Sequence, residues 1–336
     1  MKKFRLIAAV LACVAFAFSL TACGDNKGQN MENNLLTDAS FQNGFGVMGI
    51  QNGIEGVPEE NIINNSDYTV YNVLDYGGKA EGKFAWRLAQ WGTKEENSFG
   101  SKENYTFTEQ AKGQYLYTNA GKTVAVDTSA GSITLAVHAG AEYDAPRVDG
   151  QLWPHLLIEQ VFSETGKSVN LSDISEFRMR FRAKINECLN LMGDSYVSAR
   201  HAAQITWYLT LNSKKPGVRD FIWIGVPLYD NRSDGVLGGG NVFFDNGLSS
   251  GTGMLIYTLP GNAYLKKGVT VGEEVSVNVD LLPYFKAAIM EAQSRGLFPG
   301  YTLGDFTVGS TNFGWEVPGT FDCSVTLSEL GLIAVE

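Results

Sequence analysis

Between Phe177 and Ile185 the chain alternates without a break. Phe177, Met179, Phe181, Ala183 and Ile185 point one way, and Arg178, Arg180, Arg182 and Lys184 point the other. Successive side chains of a β-strand leave on opposite faces, so this stretch reads as a strand with one buried and one hydrated face. Gln204–Leu211 alternates in the same manner, with Ile205, Trp207, Leu209 and Leu211 on one side. Phe221–Leu228 is apolar on both faces, as suits a central strand. Further strands are expected at Thr123–Asp127 and Ser132–Ala139, forming a hairpin around Ser129-Ala130-Gly131, and at His155–Phe162, Met254–Tyr257, Glu274–Asp280 and Cys323–Val335. From Asn34 to about Tyr117 the signals are weak and loop-rich.

A single helix is expected late in the chain. Asp280 can cap it, Pro283 sits in its first turn and Gly296 follows its last, while Leu282, Phe285, Ala288, Ile289 and Ala292 form one apolar stripe. Thirty-eight glycines and 12% aromatic residues fit a turn-rich all-β protein. The expected fold is a two-sheet jelly-roll sandwich with the helix packed on the convex face. The concave face of such a sandwich can hold a long polymer.

The N-terminus carries a different signal. Lys2, Lys3 and Arg5 precede an apolar run from Leu6 to Leu20, which is short for a bilayer span and reads as a signal-peptide core. The run ends in Leu20-Thr21-Ala22-Cys23, then Gly24, the pattern of a lipoprotein cleavage site with Cys23 as the lipidated residue. The expected organisation is a signal peptide over 1–22, a lipidated tether over 23–34 and a single β-sandwich domain over 35–336. Such a chain works outside the cytoplasm and meets the membrane through its anchor alone. Losing Lys2, Lys3 and Arg5 takes the formal charge from −10 to about −13, which argues against nucleic-acid partners. A monomer is expected. Cys188 and Cys323 are two cysteines available for a bridge, but one isolated pair makes no disulfide framework.

A polysaccharide cleft needs aromatic platforms, polar groups for hydroxyls, and two carboxyls if it hydrolyses. Tyr143–Gln160 holds Asp144, Arg147, Asp149, Trp153, His155 and Glu159. On a strand, His155 and Glu159 share a face while Leu156, Ile158 and Phe162 face the core. Near the C-terminus Asn312, Gly314 and Glu316 share a side. Glu316, beside a glycine on an apolar strand, is a general-acid candidate, the plainer reading being a surface glutamate at a strand end. His201 and Gln204 precede the Trp207 strand as ligand candidates, although a lone histidine is more often structural. Asp230, Asn231, Arg232, Asp234 and Asp245 lie in a glycine-rich loop, read either as a calcium site or as a solvated loop at the cleft mouth. With three histidines and no HExxH spacing, neither a metal nor a cofactor is expected. Gly247-Leu248-Ser249-Ser250-Gly251 matches G-x-S-x-G in letters but lacks the strand-before, helix-after context. The cation row Arg178–Lys184 reads as a solvated outer face, or else as a receiver for an acidic glycan.

The C-terminal half resembles the glucanases of glycoside hydrolase family 12. Asp280-Leu281-Leu282-Pro283, a helix, and then Gly314-Trp315-Glu316 follow that family's order of helix and Gly-aromatic-Glu strand. The resemblance implies a jelly roll and an acid/base role for Glu316. Arg219-Asp220-Phe221-Ile222-Trp223-Ile224 resembles the nucleophile strand, but aligning the tryptophans puts Arg219 at the nucleophile and Asp220 one residue away. One residue turns a side chain to the other face unless a bulge intervenes. The resulting expectation is a lipoprotein that binds an extracellular or envelope polysaccharide in a jelly-roll cleft. The alternatives are a retaining endo-glycoside hydrolase, using Glu316 with Asp220 or Glu159, and a structural or partner-binding envelope protein.

Overall fold

A computed structural model describes residues 31–50, 69–215, 220–233, 239–246 and 251–336. The signal peptide, Cys23, most of the tether, Arg219, Asp234 and the Gly247–Ser250 stretch lie outside the described residues. The described residues form two sheets. Sheet A has the order β16 (Glu274–Asp280), β11 (Glu176–Asn190), β18 (Phe321–Val335), β8 (Ser132–His138), β7 (Lys122–Asp127), β6 (Gln114–Thr118) and β5 (Thr106–Ala111), with β1 (Glu32–Asn34) also paired to β18. Sheet B has the order β14 (Asn241–Phe244), β15 (Leu255–Thr258), β13 (Phe221–Asp230), β12 (Gln204–Ser213), β17 (Phe306–Glu316), β9 (His155–Val161), β4 (Trp86–Ala89), β2 (Phe45–Met48) and β3 (Val70–Leu74), with β10 (Val169–Asn170) also on β17.

The alternating stretch forms β11, with Phe177, Met179, Phe181, Ala183 and Ile185 at most 1% exposed. Phe181 meets Trp207 of β12 and Phe313 of β17 at 5.0 and 5.2 Å, and those two rings stack at 4.4 Å. The core therefore lies between the sheets, and alternate residues of sheet B point away from it. On the opposite face of β11 two of the four cations stand in ion pairs. Arg178 pairs with Glu32 and Glu176, and Arg182 pairs with Glu274 and Glu329. That supports the solvated reading of the row.

The helix α2 (Leu282–Ser294) follows a single turn, α1 (Phe162–Thr165), earlier in the chain. The Asp280 carboxylate accepts the Leu282 and Phe177 backbone N–H groups, tying the helix start to β11. Leu282, Phe285, Ala288, Ile289 and Ala292 are buried, and Phe285 lies 5.1 Å from Phe177. The helix thus extends the inter-sheet core and does not pack on the opposite face of sheet B. Two expectations need adjustment. Glu32–Asn34, read as the end of a polar tether, pairs with Ile333–Val335, because the β18 edge offers backbone partners that composition does not reveal. The loop-rich region up to Tyr117 contains β2–β6, whose shortness hides any period.

Candidate functional site

Register decides which side chains meet on the face of sheet B that points away from the inter-sheet core. On β17, Thr311, Phe313 and Trp315 face the core, so Asn312, Gly314 and Glu316 face out. Glu316 lies opposite Gln204 of β12 on one side and His155 of β9 on the other. The next strand outward places Asp230 opposite Gln204. These residues form one continuous polar row. Arg232 holds Asp230 through two contacts, at 2.8 and 2.5 Å, and donates to the Gln204 carbonyl at 3.2 Å. The Gln204 amide in turn donates to Glu316 Oε2 at 3.4 Å.

On the other side, His155 Nε2 stands 3.8 Å from the same Glu316 oxygen, too far for a hydrogen bond. Its Nδ1 lies 3.0 Å from the Trp153 carbonyl, which can only accept, so Nδ1 carries the proton. Burial lowers the His155 pKa, with Glu316 opposing that effect, and the neutral ring leaves a lone pair at Nε2. Two acceptors therefore face one gap. Indoles flank it: the Trp153 ring stacks on His155 at 5.8 Å and Trp91 meets it edge-on at 5.5 Å. Neither Trp91 nor Trp153 has a hydrogen-bond partner for its indole N–H. The Arg147 guanidinium lies 4.9 Å over Trp153 and fixes that platform. Trp91 was not singled out in the sequence, since it follows a four-residue strand with no readable period.

The other candidates sit elsewhere. Glu159 is on the same face, opposite Asn312 and Arg87, but four residues along β9 from His155, or about 13 Å at the rise of a strand. It is 6% exposed, its Oε1 has no partner, and burial pushes its pKa up to about 7 against the pull of Arg87. The Asn312 carbonyl opposite also has no partner. Asp220 precedes Phe221, which pairs with Asn212, eight residues along β12 from Gln204 and thus about 26 Å away. Asp220 lines a separate cavity of about 220 Å³ with Phe221, Phe244, Leu255, Leu297 and Phe298. His201 is 1% exposed and uses both ring nitrogens internally, on Val197 N–H and on the Arg147 carbonyl. It ties two loops together rather than lining the face. Asp245 accepts from Thr252, and Asp230 is committed to Arg232. Among the described residues, no cluster of three or more His, Cys, Asp or Glu side chains could hold a metal ion.

No family model and no curated protein sequence matches the chain. Among solved structures it is similar to a family 12 xyloglucanase from Bacillus licheniformis, at 12% identity and TM-score 0.40, covering 69% of this chain and 100% of that one. It is also similar to endoglucanase cel12A from Rhodothermus marinus, at 12% identity and TM-score 0.36, covering 69% and 96%. A third similar structure is the xyloglucanase domain of NopAA, a type three effector from Sinorhizobium fredii, in complex with cellobiose, at 14% identity and TM-score 0.35, covering 68% and 96%.

Proposed function

We propose that the outward face of sheet B, around Glu316, His155 and Trp153, binds a neutral β-linked polysaccharide outside the cytoplasm, with the chain anchored by a lipid on Cys23, and that it does not cleave what it binds. The row of acceptors and indoles is the chemistry that recognises sugar hydroxyls and ring faces. The formal charge, −10 for the whole sequence and about −13 without Lys2, Lys3 and Arg5, disfavours an acidic glycan.

One observation carries the choice of binding over hydrolysis: the residue hydrogen-bonded to Glu316 from the neighbouring strand is the amide Gln204. A retaining glycosidase needs a second carboxyl about 5–5.5 Å away. By register, Glu159 lies about 13 Å along the sheet and Asp220 about 26 Å along it. Asp230, beyond Gln204, is neutralised by Arg232.

The test is titration calorimetry against xyloglucan, xylan and cello-oligosaccharides, paired with a reducing-sugar assay on each. Binding without sugar release, weakened in Glu316→Gln and in Trp153→Ala, is the expected result. Release that disappears in Glu316→Gln would establish a hydrolase instead. Absence of any binding would leave the partner-binding reading.

A further inference from the structure

We infer that Cys188 and Cys323 form a cross-strand disulfide when the protein meets a disulfide oxidant. The two residues are direct partners in the antiparallel pairing of β11 with β18, in a run of matched pairs from Glu187–Ser324 to Asn190–Phe321. Directly opposed residues in such a ladder have Cα atoms about 4.5–5.5 Å apart and side chains on the same face. A disulfide requires Cα atoms about 4.4–6.8 Å apart, so neither strand needs to move far. Both thiols are free in this structure.

The two thiols differ in access, and that difference orders the reaction. Cys323 is 1% exposed, against the Val137 carbonyl, whereas Cys188 is half-buried. The Cys188 thiolate attacks one sulfur of the oxidant's disulfide, forming a mixed disulfide and expelling a thiolate. The Cys323 thiolate then attacks the Cys188 sulfur and expels the second. The balance is two protein thiols and one small disulfide giving one protein disulfide and two small thiols, with the protons passing through solvent. Burial raises both thiols above the ordinary range; Asp230 and Glu187 add to the rise at Cys188 while the Tyr229 hydrogen bond opposes it, and Asp322 and Glu187 add to the rise at Cys323. Exchange is therefore slow near neutrality and accelerates as the pH rises. Tyr229 contacts Cys188 and meets Trp315 edge-on at 6.0 Å, so the pair lies beneath the strand ends that carry Asp230 and Glu316.

The experiment uses the full chain, reduced, freed of reductant and incubated with oxidised glutathione at pH 8. Free thiols are then alkylated and the protein is mapped by mass spectrometry without reduction. The expected result is one linked pair of peptides holding Cys188 and Cys323, loss of alkylation at both, and no retained glutathione at either. Cys323→Ser should instead keep glutathione on Cys188, and Cys188→Ser should leave Cys323 unmodified. Three results would overturn the inference: full alkylation of both thiols in the wild type, glutathione retained on wild-type Cys188, or bridges made to Cys13 or Cys23 in place of this pair. The wild-type map alone decides, so a variant that failed to fold would leave the inference open to refutation.

Discussion

Replacing Glu159 by glutamine keeps the shape of the side chain and removes its titration. The carboxyl is 6% exposed, its Oε1 is without a partner, and its pKa is raised by burial from 4.5 to about 7. Between those values the unfolded chain has released a proton that the folded protein retains. Stability then falls by about 1.4 kcal/mol per pH unit as pH rises, because the unfolded state binds fewer protons. The contribution is whole below pH 4.5 and lost once pH has risen through about 7, which amounts to about 3 kcal/mol over the window. Asp38, also raised by burial, and His155, lowered by it, add their own slopes, but they do so in both proteins. The quantity to follow is therefore the difference between Glu159→Gln and wild type, measured by urea unfolding with tryptophan fluorescence at pH 4.5, 6 and 8. It should lie within about 0.5 kcal/mol of zero at the acid end and reach about 3 kcal/mol in favour of the variant at pH 8. A difference independent of pH would refute the reasoning. A variant that loses ground as pH rises would show the carboxylate ionised and stabilised by Arg87.

Lys122 and Glu142 form a 2.6 Å ion pair with side chains at most 1% exposed, so Lys122→Ala strands a buried carboxylate and should cost about 3–5 kcal/mol in urea unfolding. Lys122→Met combined with Glu142→Leu should cost much less than that single change. Gly314 sits at φ +154, and a Cβ there would run into the Leu156 carbonyl of the neighbouring strand. Gly314→Ala should cost about 2 kcal/mol or more and weaken glycan binding with it, because Glu316 is two residues on. Glu316→Gln removes the charge that opposes burial at His155, so the histidine pKa, followed by NMR, should fall further below 6.5; a rise would refute the assigned contact.

The elements that could be read from the chain are those whose period is local. Phe177–Ile185 and Gln204–Leu211 carry their alternation within one strand, and the α2 stripe repeats within one helix. β2 and β4 could not be read in this way, because each has four residues and they pair in parallel with one another, a non-local choice. The site divides along the same line. Glu316, His155, Gln204, Asp230 and Arg232 were each visible as polar residues on or beside apolar strands. Their convergence depends on the β9–β17–β12–β13 register, which joins Gln204 to Glu316 across 112 residues. Aligning Trp223 with a nucleophile strand pointed to Asp220, yet β13 is separated from β17 by β12, and Asp220 lies at its far end.

It follows that the residue deciding between capture and cleavage is Gln204. Gln204→Glu would put a carboxylate where the amide now lies 3.4 Å from Glu316, with Arg232 already 3.2 Å from its other oxygen. Two carboxyls at that spacing cannot both ionise freely, and the one beside the guanidinium holds its charge more easily. The pair would then share a proton unequally, the condition under which one carboxyl serves as acid and the other as nucleophile. Two measurements check this: glycan affinity against pH, and reducing-sugar release from a glycan that the wild type only binds. The variant should acquire a pH-dependent affinity near neutrality, and sugar release only where a bound glycan parts the two carboxyls to about 5–5.5 Å. If affinity stays independent of pH while the variant still folds and binds, Gln204 does not face Glu316 in the working protein. The distinction drawn between a binding face and a hydrolytic one would then fall with it.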